Sequence, residues 1–380
     1  MDKLTNFFTN NVFKLNVKNI LVLLFVISIF KNGIWYHPAL WNMLEIAKNP
    51  FENVFGSNFN KYYLYSSWLS PFLAYLLGIK SKIYFFIFHF FLAAFFLFLT
   101  IKLIKKKVKK NNIKKSLILF LIFPVSMTSF YWVGYDSLIL LLMTTSLFYK
   151  KNFLVILICS IGIGLQHFEI GVISILILTI ALSLEKIFYS NKIKKKISFT
   201  FVVIFFIGLL IGKIILFKIY AGEDFVAGRF SWIYNALLHL FYNFYFNFYN
   251  ILWFALGPAW LIIIHFFFNQ KEKWSFLISL ICLIFVLPFV DDHSRVYSAC
   301  SFILISVYIL YNDDFLDKIT NQHLSIFFLV WILFPYSWVW QGDLRPSMFQ
   351  YDLAYVLDYI FGIFNNEIKS STIWPFARFN

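Results

Sequence analysis

The stretch FFIFHFFLAAFFLFLTIKLIKKKVKKNNIKKSLILFLIF, residues 85–123, decides the fold: two hydrocarbon runs flank a lysine-dense segment, KKKVKKNNIKK at 105–115. A bilayer core about 30 Å thick takes about 20 apolar residues as helix, and each flank supplies a run of that kind. Lysines crowded into a short connection between such runs mark the cytoplasmic side. The pair reads as two spans, near 83–104 and 115–133, with their connection inside.

The same pattern recurs outward along the chain. Lys3, Lys14 and Lys18, KK at 150–151, KIKKK at 192–196 and KEK at 271–273 are further inner-face clusters. Threading apolar runs between them adds spans near 18–36, 137–150, 153–166, 170–185, 198–219, 249–268, 274–290, 299–311 and 324–340. The expected fold class is an all-α polytopic integral membrane helical bundle, one membrane domain over 1–380, with about eleven transmembrane helices. The N-terminus falls in the cytoplasm and the C-terminus in the periplasm. SSWLSPFLAYLLGI at 66–79 is also apolar, but a crossing there would put the 105–115 lysines outside. It is therefore expected as an amphipathic or re-entrant segment on the outer face. Three outer pieces follow: loop 37–82, loop 220–248 and the tail 341–380, whose YDLAYVLDYIFGIF has the spacing of an interfacial helix.

Composition agrees. Of 380 residues 61% are hydrophobic and 13% charged, with mean hydropathy +0.76, which exceeds what a soluble core uses and implies the lipid bilayer as solvent. No small-residue cleavage site follows the first apolar run, Ile20 to Phe30, so it reads as an anchor and not a signal peptide. Cys159, Cys282 and Cys300 lie inside apolar runs without metal-type spacing, which suggests neither disulfides nor a zinc site. The +15 net charge sits in short loops, which argues against nucleic acid as a partner.

Most of the remaining ionisable groups land at outer ends of spans. They are Asp136 in WVGYDS, His167 and Glu169 in LQHFEIG, Glu223, Asp224 and Arg229 in AGEDFVAGRF, Asp291, Asp292, His293 and Arg295 in FVDDHSRVYS, and Asp343 with Arg345 in QGDLRP. Charge beside hydrocarbon is costly, so its persistence at one face points to use. The four arginines, Arg229, Arg295, Arg345 and Arg378, all fall outside, whereas the inner basic residues are lysine. Guanidinium binds phosphate through a rigid fork, so an anionic ligand, phosphate or pyrophosphate, is expected there. Plainer readings stand beside these. Asp291, Asp292 and Arg295 have the spacing of a structural ion pair, Asp136 of a helix cap, and Arg229 of a headgroup contact. Glu45, Glu52 and His37 lie in the first outer loop.

The order of features resembles the GT-C superfamily of polytopic glycosyltransferases, which use polyprenyl-phosphate-linked sugars. ALWNMLEIAKNPFENVF followed by YLYSSWLSPFLAYLLG is similar to the first-loop segment of bacterial members, whose L-T-P-x-L turn corresponds to Leu69, Ser70, Pro71 and Leu73. YDSLILLLM resembles the acidic residue heading a later span, QHFEIGVISIL the His/Lys-Glu pair at a helix hairpin, and DDHSRVYS a late acidic-Arg segment. The chain departs from the pattern in one respect: no Asp occurs between Asp2 and Asp136, where such proteins carry a first-loop catalytic aspartate.

The resemblance implies transfer of a sugar from a polyprenyl-(pyro)phosphate carrier to a glycan or glycolipid acceptor on the periplasmic face of a bacterial inner membrane. Surface polysaccharide or lipopolysaccharide assembly is the setting. Such transfer needs a carboxylate to take the acceptor proton and cations to stabilise the departing phosphate. Glu169 with His167, then Asp136 and Glu45, are the expected catalytic groups. Arg295, Arg229, Arg345, Asp292 and His293 are the expected carrier-binding groups. The sequence points to no particular cofactor, and a divalent cation is compatible with the donor set. A repeat-unit polymerase of O-antigen or capsule is the near alternative. A transporter or flippase of lipid-linked sugar is the other, although that class places charge near the midplane.

Overall fold

The computed structural model describes residues 2–34, 36–56, 58–189, 197–221, 229–334 and 337–346. Local chemistry sets the helix limits. α1 (Asp2–Phe8) and α2 (Val17–Asn32) belong to segments that meet at 111°, where the Asn16 side chain accepts from the Asn19 N–H and starts α2. The first outer piece holds α3 (Leu40–Lys48), a 3-10 turn over Phe59–Ser67 and α4 (Leu69–Leu76). With 8 residues, α4 is too short to cross a bilayer. α5 (Lys82–Lys107) leads to the lysine-dense connection at 105–115. α6 (Ile113–Ile122) and α7 (Val125–Tyr131) are one run bent by 45°, because Phe123, preceding Pro124, is driven to extended backbone.

α8 (Asp136–Phe148), α9 (Phe153–Tyr189) and α10 (Phe199–Ile219) follow, then α11 (Phe230–Phe246) and α12 (Phe248–Leu256). α12 continues through a tight turn at Gly257 into α13 (Trp260–Asn269), and α14 (Lys273–Ile284) runs back. α15 (His293–Ile305), α16 (Asp313–Leu316) and α17 (Asn321–Leu333) complete the helices among the described residues. Strands β1 (Ser337–Trp340) and β2 (Asp343–Pro346) pair antiparallel.

Five of these stretches are long and apolar enough to cross a membrane: Lys82–Lys107, Phe153–Tyr189, Phe199–Ile219, Phe248–Asn269 and His293–Leu310. Counting the two bent pairs as spans gives seven, short of the expected eleven. The shortfall lies in α8, α14 and α17, whose 12 or 13 residues reach only about 20 Å at 1.5 Å per residue. α9 is the opposite case. Its 37 residues include a non-helical His167, and a Cβ on Gly171 would stand 2.8 Å from Ile163 Cγ2. Residues eight apart in a straight helix are separated by about 12 Å, so α9 folds back at His167. The runs 153–166 and 170–185 are its two arms.

Polar contacts sort the connections into two ends. At one, Lys109 pairs with Asp317 at 2.9 Å, Lys114 donates to Phe13 O, Lys115 to Leu316 O and Lys318 to Asn269 O, while Lys106 lies over the Phe148 ring. At the other, Trp68 N donates to Leu165 O, Tyr220 Oη to Pro50 O, Lys31 Nζ to Phe334 O and His37 N to Val133 O. The lysine clusters near 14–18, 105–115, 150–151 and 271–273 thus share one end, while KIKKK at 192–196 lies outside the described residues.

Three sequence expectations change. The span placed at 299–311 begins at His293, and from there to Leu310 every residue is buried, so α15 is the central helix of the bundle. Its serines lie among hydrocarbon because they bond back within the helix, Ser298 to Arg295 O and Ser301 to Ser298 O. The span placed at 324–340 ends at Leu333, since Phe334 precedes a proline, and the alternating SWVW forms β1. The loop placed at 220–248 is largely α11. Residues 222–228 and the tail beyond 346 lie outside the described residues.

α9 and α10 pack closely through glycine. A Cβ on Gly212 would come 2.4 Å from Ile161 O and 2.9 Å from Gly164 Cα, both backbone atoms that cannot swing aside. Gly212→Val should therefore cost about 2 kcal/mol by overpacking, read as an earlier thermal melt in detergent. An unchanged melt would mean that the arms of α9 are not held against α10 as described.

Candidate functional site at the end opposite the lysines

α15 opens with the residue around which the site is built. Arg295, 4% exposed, donates from Nη1 to Asp136 Oδ2 at 2.6 Å and from Nε to Asp292. Its guanidinium lies 5.3 Å from the centroid of the Tyr135 ring, a cation against an aromatic face. A buried guanidinium needs such neutralisation. Asp136 stands at the first turn of α8 without capping it: among the described residues its carboxylate bonds only to Arg295, and Oδ1 is buried without a hydrogen-bond partner. Burial pushes the Asp292 carboxyl up to about 6, against the downward pull of Arg295. Asp291 stands apart, its carbonyl accepting from Gln341 N at 2.7 Å.

The reversal in α9 supplies the second part. His167 takes extended backbone at the fold, with its Nδ1 3.3 Å from Glu169 Oε2 and accepting from Ile170 N at 3.5 Å, and among the described residues its buried Nε2 has no hydrogen-bond partner. Glu169 also faces Lys213 of α10 at 4.0 Å. Arg229, at the start of α11, donates from Nε to Ser66 Oγ at 3.3 Å and lies over Tyr63. Its field reaches both His167 and Glu169, while its buried Nη2 has no hydrogen-bond partner among the described residues.

Tyr135 joins the two parts. Its ring centroid is 6.3 Å from that of His167, and its hydroxyl is 3.0 Å from His37 Nε2. Gln166 fixes the first outer piece to the same place: Oε1 accepts from Ser70 N at 2.7 Å, and Nε2 donates to Ser70 Oγ at 2.9 Å and Tyr135 O at 3.3 Å. The Leu69–Leu73 turn is thereby held at the α9 hinge.

Asp136, His167, Glu169, Asp292, Arg295 and Arg229 are thus brought together, with Lys213 added. Comparison with protein families, curated proteins and solved structures finds no match. The site must be read from its own chemistry.

Other expected residues fall elsewhere. Glu45 is exposed on α3 and pairs with Lys48 at 2.8 Å, so it is a surface carboxylate with no bond to the cluster, and the catalytic expectation for it is withdrawn. His293 is fully buried beside Phe244, both ring nitrogens without hydrogen bonds, and does not join the Arg295 pair. Arg345 lies in β2 opposite Trp338. Glu223 and Asp224 lie outside the described residues. Among those described, no three His, Cys, Asp or Glu side chains are grouped to hold a metal ion.

The β1–β2 hairpin covers this end of α15. Val339 N donates to Ser294 Oγ at 2.6 Å, Trp338 stacks on Tyr131 at 4.8 Å, and Gly342 reaches the left-handed region at the turn. A Cβ at Gly342 would meet Asn247 Nδ2 at 2.3 Å, so that side chain would have to swing aside for any other residue.

Tyr135, His37 and Gln166 are site residues whose partnership the sequence did not reveal. Two of them adjoin residues that were singled out, in YDS and QHFE, and that adjacency was the available signal.

Proposed function

We propose that the protein is a membrane glycosyltransferase that moves a sugar from a polyprenyl-phosphate carrier to a hydroxyl of a glycan or glycolipid. The observation that carries the reading is a buried carboxylate and a buried guanidinium N–H, Glu169 and Arg229 Nη2, both without hydrogen-bond partners among the described residues. In the reaction, the acceptor oxygen attacks the anomeric carbon while its proton passes to the Glu169 carboxylate. The bond from that carbon to the phosphate oxygen breaks, and the carrier phosphate leaves with the electron pair. His167, whose Nδ1 accepts from Ile170 N, carries its proton on Nε2 and donates it to an oxygen of the ligand. Arg229 and Lys213 are placed to receive the developing phosphate charge. Arg295 is not, because both of its bonded faces are committed to Asp136 and Asp292. Of the arginines expected to bind the phosphate, Arg229 is the one retained in this role.

The membrane setting follows the same logic. Positive-inside sorting places the lysine end in the cytoplasm and the cluster on the periplasmic side of a bacterial inner membrane. The eleven-crossing topology counts the two arms of α9 separately and treats the short helices α8, α14 and α17 as passes. A carrier lipid reaches a site at the membrane rim without leaving the bilayer.

The test uses the full chain in nanodiscs with a radiolabelled polyprenyl-phosphate sugar and a membrane-extracted glycan acceptor. Labelled glycan together with released polyprenyl monophosphate is the expected result. Release of polyprenyl pyrophosphate from a diphosphate-linked oligosaccharide would favour a repeat-unit polymerase instead. Movement of intact sugar-lipid between leaflets without bond cleavage would favour a flippase. Either outcome overturns the proposal.

A further inference from the structure

We infer that the Tyr135 hydroxyl is a hydrogen-bond donor to a ligand oxygen in this site, and that His37 is the positioning residue that gives it that polarity. The inference rests partly on the proposed function, which supplies the ligand class. Its geometry stands independently.

The chain of donors starts at the backbone. Ala39 N lies 3.0 Å from His37 Nδ1, and a peptide N–H can only donate, so Nδ1 is the acceptor and carries no proton. A neutral imidazole with Nδ1 bare carries its proton on Nε2. That nitrogen is 3.0 Å from Tyr135 Oη, so the phenol oxygen accepts there. The phenol's own hydrogen then needs an acceptor, and among the described residues none bonds to it. Tyr135 is 2% exposed, so bulk water does not serve. Burial and the fields of Arg295 and Arg229 keep His37 well below its usual range, so the neutral imidazole is the form present near pH 7.

The donor sits where a ligand would be bound. Arg295 lies against the Tyr135 ring, His167 stands beside it, and the next residue is Asp136, whose Oδ1 also lacks a partner. One unmatched donor and one unmatched acceptor at consecutive positions suit a polyhydroxylated molecule, whose hydroxyls both accept and donate. A phosphate oxygen shares the acceptor chemistry, and the experiment separates the two sources.

Tyr135→Phe keeps the ring against Arg295 and removes only the hydroxyl. Binding of two probes to the full chain in nanodiscs is measured: undecaprenyl phosphate, and the same lipid carrying a sugar. Loss of one buried hydrogen bond predicts about tenfold weaker binding. A loss shared by both probes assigns the donor to phosphate, and a loss confined to the sugar-lipid assigns it to the sugar. Wild-type affinity for both probes in Tyr135→Phe overturns the inference, whether or not the wild type transfers sugar. A wild type that binds the probes but transfers nothing overturns the proposed reaction and leaves the inference standing. A wild type that binds neither probe overturns both.

The positioning role has its own readout. His37→Gln retains an N–H to donate to Tyr135 and should bind within about threefold of wild type, whereas His37→Ala should lose as much as Tyr135→Phe. The Tyr135→Phe, His37→Ala double variant should be no weaker than Tyr135→Phe alone. If His37→Gln falls with His37→Ala, the relay is overturned.

Discussion

Arg295→Met will destabilise the protein by about 3–5 kcal/mol, the range for removing one partner of a buried ion pair. The effect is large because the guanidinium neutralises two carboxylates at once, Asp136 on α8 and Asp292 ahead of α15, in surroundings that exclude water. Without it the two acids must take up protons or draw solvent into the centre of the bundle. Methionine fills similar volume, so the loss reports charge rather than a cavity. The companion triple variant, Asp136→Asn, Asp292→Asn and Arg295→Met, removes every charge together and should recover most of the stability. Thermal unfolding in detergent, followed by size exclusion, reads both. A single variant as stable as wild type would mean that these charges are hydrated and that the site is not closed at this end.

The same residues explain what could be read from sequence and what could not. Lysine clusters fix which connections share an end, because charge density in a short loop is a local property. Lys109 and Asp317, far apart in the chain, do meet there. Convergence of Asp136, Glu169 and Arg295 was legible for the same reason: each stands at the same end of its apolar run. Helix limits were less legible. The acidic-Arg segment was placed in a connection between spans, yet His293 and Arg295 belong to the most buried helix of the molecule. Window hydropathy treats Arg295 as a helix breaker because it cannot see that Asp136, 159 positions away, neutralises it. The β1–β2 hairpin escaped for a related reason: SWVW is as apolar as a helix end, and only its pairing with Asp343–Pro346 makes it a strand. Tyr135 and His37 escaped because a tyrosine or histidine gains a role from what it faces, and their 98-residue separation hides that.

His167→Ala should lower sugar transfer by about 10–100-fold, the loss of a donor to the ligand, while leaving the melt close to wild type. The small stability effect is expected because His167 is the residue at which α9 departs from helical geometry, so alanine removes no helical packing at the fold. The comparison with Glu169→Gln decides which of the two takes the proton. If Glu169 is the base and His167 only donates from Nε2, Glu169→Gln cannot take the proton and loses about 10²–10⁴-fold. The shallower loss at His167 then reports the missing donor alone. If His167 is the base, the order reverses: His167→Ala becomes the deeper defect and Glu169→Gln the shallower. Equal, non-additive losses in the two single variants and the double variant would mean that the pair acts as one unit. Transfer at wild-type rate in both would remove the hinge of α9 from the chemistry. The assay is single-turnover transfer with the carrier lipid saturating, so that binding differences at Arg229 do not enter.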